Sequence, residues 1–278
     1  MFDVEHADVR EAVARALAED IGSGDITSQL TVAEDLQARG SFLAKQDLVL
    51  AGVELLPLVY GERGGATVNI LRASGAKLAK GALIATVEGR ARTLLECERV
   101  ALNFMQRLSG VATLAAKYVD EVAGTNVKVL DTRKTTPGLR RLEKMAAAAG
   151  GVTNHRFGLF DAVLIKNNHI TAAGGVRPAL ENARAFPGPV EIEVRTRAEL
   201  DDALACGAQR LLLDNLTPAQ AAEWVRYIKG RASCELSGNI DLQNIRQYAQ
   251  AGSDFISCGA ITHSAPAVDI SFRLELKH

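Results

Sequence analysis

Apolar and polar positions follow two different periods along this chain, and the change of period divides it. Over residues 8–20, Val9, Ala12, Val13, Ala16 and Leu17 recur at helical spacing, and Asp8 is placed to cap that helix. The run Gly22-Ser-Gly24 predicts its end. From 38 to 92 the texture becomes short β-like runs at 40–44, 48–51, 67–71 and 83–88, separated by glycine turns. The stretch 75–84 outwardly looks like a lipoyl- or biotinyl-type hairpin. No lysine sits at a tip between two strands there, so a structural hairpin is predicted. Residues 92–122 read as helical, with Leu95, Val100, Leu102, Phe104, Leu108 and Val111 as apolar faces and Gly110 as a candidate break.

A regular alternation follows. Apolar runs predict strands at 127–130, 162–165, 190–194, 210–213, 233–236 and 255–257, with helical patterns at 139–149, 176–185, 198–206, 218–228 and 242–251. The later strand ends lie about 21–22 residues apart, one βα unit each, and such units curl into a barrel whose site lies at the carboxyl ends of the strands. Six strands, where a standard barrel has eight, predict an incomplete α/β barrel. The α/β chain is therefore expected to comprise an N-terminal domain at 1–108 and the barrel at 109–266. The tail 267–278, which alternates like a strand over 269–276, is expected to return to the first domain.

Composition narrows the class. At 47% apolar and 23% charged, the 278 residues read as an ordinary globular chain. The net charge of −1 argues against nucleic acid or a membrane surface as a bulk partner. Cys97, Cys206, Cys234 and Cys258 show no paired spacing and read as reduced thiols, and no apolar run reaches the ~20 residues needed to span a bilayer. The N-terminal run Met1-Phe-Asp-Val-Glu-His6 lacks the apolar core of a signal peptide. A soluble cytoplasmic protein is expected.

Charge is unevenly placed. Between Asp131 and His169 there are seven Lys or Arg against three acids. The strand ends carry Asp131, Arg133 and Lys134, then Lys166, Glu193, Asp214, Ser237-Gly-Asn239 and Ser257-Cys-Gly-Ala260. Glu191 and Glu193 project to one side of their strand by the two-residue period. Cations at the first ends imply an anionic ligand. Glycine turns entering helices suit a phosphate, and carboxylates opposite a phosphate suit Mg²⁺, often through water, or ribose hydroxyls. Singly, a strand-end Lys is a surface charge and an isolated SGN turn is weak. The argument rests on six successive ends each bearing a polar or glycine group. Cys258 has no His–Asp partner nearby and reads as a small filler. His169 reads as an orienting residue.

Several motifs resemble the quinolinate phosphoribosyltransferase family, the carboxylating nicotinate-nucleotide pyrophosphorylases. They are Asp131-Thr-Arg-Lys-Thr-Thr-Pro-Gly-Leu-Arg140, Thr153-Asn-His-Arg156, Leu164-Ile-Lys-Asn-Asn-His169, Leu213-Asp-Asn215, Glu235-Leu-Ser-Gly-Asn239 and Ile256-Ser-Cys-Gly-Ala260. Near the amino terminus, Glu19-Asp-Ile-Gly-Ser-Gly-Asp-Ile-Thr27 and Glu98-Arg-Val-Ala-Leu-Asn-Phe104 add to it. The resemblance spans nearly the whole chain, in order. It implies an N-terminal open α/β sandwich joined to an incomplete barrel of the type II phosphoribosyltransferase kind. It further implies transfer of phosphoribosyl from phosphoribosyl pyrophosphate to quinolinate with decarboxylation, a step of NAD biosynthesis.

Position by position, the resemblance implies that Thr132, Arg133, Lys134, His155, Arg156 and Lys166 bind quinolinate, with Arg99 supplied by the neighbouring subunit of a homodimer or of a hexamer built from dimers. It implies that Glu193 and Asp214 hold ribose hydroxyls and Mg²⁺, and that Ser237, Gly238, Asn239, Cys258, Gly259 and Ala260 cradle the 5′-phosphate. Lys134, Lys166, Glu193 and Asp214 would be catalytic. Two departures stand out. Val152 and Asn239 each occupy a place where glycine is usual, and a valine cannot cheaply adopt positive φ. The competing readings are a related phosphoribosyltransferase-like pyrophosphorylase acting on another aromatic carboxylate, a Schiff-base lyase using Lys166, and a barrel that only binds sugar phosphates.

Overall fold

The computed structural model describes residues 3–276; Met1, Phe2, Lys277 and His278, the extremes of the expected domains, lie outside the described residues. Two compact units divide the chain. The first comprises Met1–Ala116, Thr135–Gly151 and Ile261–His278, and the second Lys117–Lys134 and Val152–Ala260. The stretch Thr135–Gly151, read in the sequence as part of the barrel, groups with the first unit.

In the first unit, helix α1 (Ala7–Ile21) buries Val9, Ala12, Val13, Leu17 and Ile21, one stripe at three- and four-residue spacing. Its cap is the ring of His6, which accepts the Asp8 N–H, and Gly22 ends it at φ 54°. Asp25 then caps a short helix the sequence pattern did not reveal, α2 (Ile26–Thr31), by accepting the Ser28 N–H at 3.0 Å. Next come β1 (Gln37–Ala44), β2 (Leu48–Val49), α3 (Leu56–Gly61), β3 (Thr67–Ile70), β4 (Lys77–Leu78) and β5 (Leu83–Arg90). The tail strand Ile270–Leu276 pairs with β1, giving an antiparallel sheet in the order tail, β1, β5, β3. The tail therefore lies where its alternation placed it. Phe42 and Phe272 pack across this pairing with ring centroids 4.9 Å apart.

Helix α4 (Ala91–Glu121) is continuous, so Gly110 does not break it. A Cβ at Gly110 would lie 2.2 Å from the Pro266 carbonyl oxygen, and close approach of that backbone is what the glycine serves. Helix α5 (Arg140–Ala149) completes the unit, with Arg141 bonded to Asp8 at 3.0 Å.

The second unit is built on six parallel strands: β6 (Lys128–Leu130), β7 (Val163–Ile165), β8 (Val190–Val194), β9 (Arg210–Asp214), β10 (Ser233–Ser237) and β11 (Phe255–Ser257). Their order is β6-β11-β10-β9-β8-β7, so the first two strands in sequence form the two edges. The edges do not pair with each other, which leaves the open side that an incomplete barrel requires. The helices of this unit are α6 (Asn167–Ala173), α7 (Val176–Ala183), α8 (Arg197–Ala205), α9 (Pro218–Ile228) and α10 (Ile245–Ala249); α11 (Ala260–His263) starts at its last residue and continues into the first unit. Ile192, Val194, Leu211, Leu213, Leu236 and Ile256 are among its buried strand residues. Among the described residues no helix is long and apolar enough to cross a membrane.

Candidate active site

β9 and β10 end level, with Asp214 opposite Ser237, and so do β6 and β11, with Leu130 opposite Ser257. Asp131 directly follows β6 and Lys166 directly follows β7. Glu193 is the penultimate residue of β8, while Asp214 and Ser237 close β9 and β10.

Glu193 is 9% exposed. Burial raises its pKa and the neighbouring charge of Asp214 adds to the rise, while Lys166, Arg195 and the Asn167 N–H oppose it. Glu193, Asp214 and Lys166 thus act on one another across three strand ends. Two carboxylates held this close favour a cation between them, reached directly or through water. The Arg133 and Arg156 guanidiniums form the opposite charge pattern. Burial lowers the Arg156 pKa and the charge of Arg133 lowers it further, against Asp161 and Glu191. Two like-charged forks in partial burial are relieved by an anion, and their planar geometry suits carboxylates.

On the glycine-bearing side, Asn215 (φ 57°) donates its N–H to the Ser237 carbonyl at 2.9 Å. Asn239 (φ 51°) adopts the left-handed conformation that asparagine tolerates and donates from its side chain to Asn215 at 3.3 Å. Val152 is not among the positive-φ residues; Gly151, at φ 94°, takes that turn, so the valine is unstrained and buried. The expected cradle is narrowed at one point. The Cys258 N–H donates to the Leu130 carbonyl at 3.0 Å and is committed to the sheet. Burial pushes the Cys258 thiol up to about 12, as befits a filler rather than a nucleophile. Gly259 and Ala260, half-buried, lead into α11.

Thr132 is half-buried and accepts the Lys134 N–H at 3.1 Å, while Lys134 itself is exposed. Arg99 stands exposed on α4, in the first unit. His169 orients the start of α6, its Nδ1 accepting the Lys166 N–H at 2.9 Å.

His155 is held among buried acids. Its Nε2 lies 3.3 Å from both Glu191 and Glu235, and its Nδ1 accepts the Arg156 N–H at 2.7 Å. Arg210 bridges the same two carboxylates at 3.1 and 3.0 Å. Burial opposes a charged imidazole, but hydrogen bonds from Glu191 and Glu235 outweigh it and raise His155 to about 9. The two carboxylates hold a proton on Nε2, and the Arg156 bond is made while Nδ1 carries none. Among the described residues this is the one cluster of three metal-capable groups, and Arg210 already pairs with both of its carboxylates. A cavity of about 430 Å³ opens beside it, lined by His155 and Arg156 together with Val163, Pro189, Arg210 and Phe255; Lys166, Glu193 and Asp214 do not line it.

The chain matches the family described as quinolinate phosphoribosyl transferase, through its C-terminal domain over residues 111–273 and its N-terminal domain over 25–109. It belongs to that family. A probable nicotinate-nucleotide pyrophosphorylase [carboxylating] of Bacillus subtilis is 37% identical, covering 98% of this chain and 96% of its own. Quinolinate phosphoribosyltransferase [decarboxylating] 1b of Nicotiana tabacum is 38% identical over 96% of this chain and 83% of its own. Among solved structures, NadC from Streptococcus pyogenes superposes with a TM-score of 0.95 at 38% identity over 100% of both chains. The nicotinate-nucleotide pyrophosphorylase from Francisella tularensis gives 0.94 at 38% identity, covering 99% of this chain and 98% of that one. The mixed α/β architecture, a small antiparallel-sheet unit and a parallel-sheet unit, is therefore that of the family.

Strand-end chemistry was readable in the sequence, whereas Asp131, Asn215, Arg210 and Glu235 were missed as supporting groups. Asp131 is fully buried and accepts the His155 N–H at 2.8 Å and the Asn154 side chain at 2.6 Å. Its place before Arg133 was the available signal.

Proposed function

We propose that this enzyme transfers the phosphoribosyl group of phosphoribosyl pyrophosphate to quinolinate with loss of CO₂, yielding nicotinate mononucleotide and pyrophosphate for NAD biosynthesis. Family membership over nearly the whole chain supports the reading. The feature that supports it at this site is the half-buried Arg156 with the charge of Arg133 near it, a pair that a ligand with two adjacent carboxylates would satisfy.

Arg133 and Arg156 take the carboxylates, with Thr132, Lys134 and Lys166 beside them and Arg99 reaching in from the neighbouring subunit of a homodimer or a hexamer of dimers. Ser237, Gly238, Asn239, Gly259 and Ala260 surround the 5′-phosphate. Glu193 and Asp214 face the ribose, and they would hold Mg²⁺ through water. Bound there, Mg²⁺ would supply charge neutralisation to the pyrophosphate oxygens.

As the bond from the sugar C1 to pyrophosphate breaks, its electron pair leaves with the pyrophosphate and C1 gains oxocarbenium character. The Glu193 carboxylate stabilises that charge, and Lys134 and Lys166 offset the charge on the leaving group. The lone pair of the pyridine nitrogen forms the new bond to C1. The resulting pyridinium holds the electron pair left on the ring carbon when the 2-carboxylate departs as CO₂, and a proton takes its place. The arginine forks hold the ring in line for attack. The proposed compartment is the cytoplasm.

The test is to supply quinolinate, phosphoribosyl pyrophosphate and Mg²⁺ and to follow CO₂ and the mononucleotide. Formation of both in equal amounts supports the proposal. A mononucleotide formed without CO₂, from nicotinate instead, would transfer the site to another aromatic carboxylate.

A further inference from the structure

Beneath the strand-end site lies a layer of buried charge that the reaction as written does not use. Glu191 and Glu235 each stand two residues before a strand-end group, Glu193 and Ser237, and so share their side of the sheet. They are 4% and 1% exposed. Arg210 spans both carboxylates, its guanidinium lying 4.6 Å above the centroid of the Phe255 ring. The Nε2–H of His155 meets both.

Burying three charges is expensive, and apolar residues of similar volume would fill such a core at equal or better stability. What the charges add is direction. The imidazole is fixed at Nε2 by two carboxylates that Arg210 holds in place, and at Nδ1 it receives the N–H of Arg156. The preceding peptide is fixed from the other side, since Asp131 takes the His155 N–H and the Asn154 amide. Asp131 also begins the loop that carries Arg133. One connected set of bonds therefore fixes the backbone from which the Arg156 guanidinium extends, itself donating to the Ala162 carbonyl at 3.1 Å, and the start of the loop that carries Arg133.

We propose that Glu191, Glu235 and Arg210 are positioning residues of the active site, acting through His155 on the Asn154-His-Arg156 turn and so on the dicarboxylate pocket. The proposal rests on the quinolinate reading of that pocket. Its signature is selective: the aromatic substrate loses its orienting fork, whereas the phosphoribosyl side of the site meets the network only through the Ser257 side chain, which is hydrogen-bonded to Glu235.

The experiment measures steady-state rates of the full chain with each substrate varied in turn, for Glu235→Gln and Arg210→Lys. The expected result is a KM for quinolinate raised about tenfold or more, with the KM for phosphoribosyl pyrophosphate within about twofold of wild type. A role in stability alone would lower the active fraction, reducing kcat and leaving both KM values unchanged. That outcome, or an equal rise in both, overturns the proposal while the activity stands. A wild-type protein that does not turn over quinolinate overturns the underlying reading instead. Should Glu235→Gln not fold, the double variant Glu235→Gln with Arg210→Gln removes the opposed charges together and carries the same test.

Discussion

Arg107 on α4 donates to the carboxylate of Glu143 on α5 at 2.7 Å, and Glu143 is wholly buried. The same carboxylate accepts the Thr136 hydroxyl at 2.7 Å and its N–H at 3.0 Å, while Arg107 also donates to the carbonyls of Thr262 and Ala265. One ion pair thus ties α5 to the loop that follows Lys134 and to the segment that follows Ala260. Removing one partner leaves an uncompensated buried charge, so Glu143→Ala is expected to cost about 3–5 kcal/mol of stability. Denaturant unfolding checks this. A loss below about 1 kcal/mol would mean that the pair is effectively solvated.

The repulsion between Arg133 and Arg156 gives the second prediction its direction. Because the charge of Arg133 makes Arg156 harder to keep charged, Arg133→Ala should leave the melting temperature unchanged or slightly higher. It should nonetheless cost about 2–4 kcal/mol of transition-state stabilisation with quinolinate, read as kcat/KM. Undiminished turnover would remove Arg133 from the site.

The layout of the site was legible because it depends on short-range pattern. Apolar runs at whose carboxyl ends Lys166, Glu193 and Asp214 stand announce themselves from local sequence, as does the alternating tail that pairs with β1. What was hidden depends on contacts made at a distance. Gly110 looks like a helix break until the Pro266 backbone is found against it. Helix α6 begins inside a run that reads as a loop, because His169 supplies the Lys166 N–H with its acceptor. The Glu191–Arg210–Glu235 cluster joins residues 19 and 25 apart along the chain, and each alone reads as a surface charge or a strand-end carboxylate. The resemblance supplied His155 as a site residue, but only the folded arrangement turns its ring toward those acids.

Glu193 carries the third prediction, which concerns pH. Its folded pKa is raised, first by burial and then by Asp214, so the folded state holds that proton more tightly than the unfolded chain does. The associated stability is fully present below the ordinary glutamate value of 4.5 and is lost as pH rises through the folded value. At neutral pH the ionised Glu193 is therefore a cost borne for function. Glu193→Gln should melt higher at pH 7 by about 2–4 °C, the shift that roughly 1 kcal/mol produces in a chain of this size. The two melting curves should converge as pH falls below 4.5. Turnover should drop about 100-fold. A variant that melts lower at pH 7 would show the carboxylate to be net stabilising.

Gly238 tests the phosphate side of the site. At φ 99° it sits where L-residues are strained, and an added Cβ would lie 2.3 Å from the Asn215 side-chain oxygen and 2.7 Å from the Asn215 backbone nitrogen. Asn215 cannot withdraw without breaking its N–H bond to the Ser237 carbonyl, so the strap from Ser237 to Asn239 must move instead. Gly238→Ala is expected to raise the KM for phosphoribosyl pyrophosphate about tenfold or more and to leave that for quinolinate near wild type, the reverse of the pattern expected for Glu235→Gln. Asn239→Gly is the matched control. Its φ of 51° suits glycine at least as well as asparagine, and the change should leave the phosphoribosyl pyrophosphate KM within about threefold. If Gly238→Ala binds both substrates as the wild type does, the 5′-phosphate does not rest on this turn, and the turns after β9 and β11 become its remaining anchors.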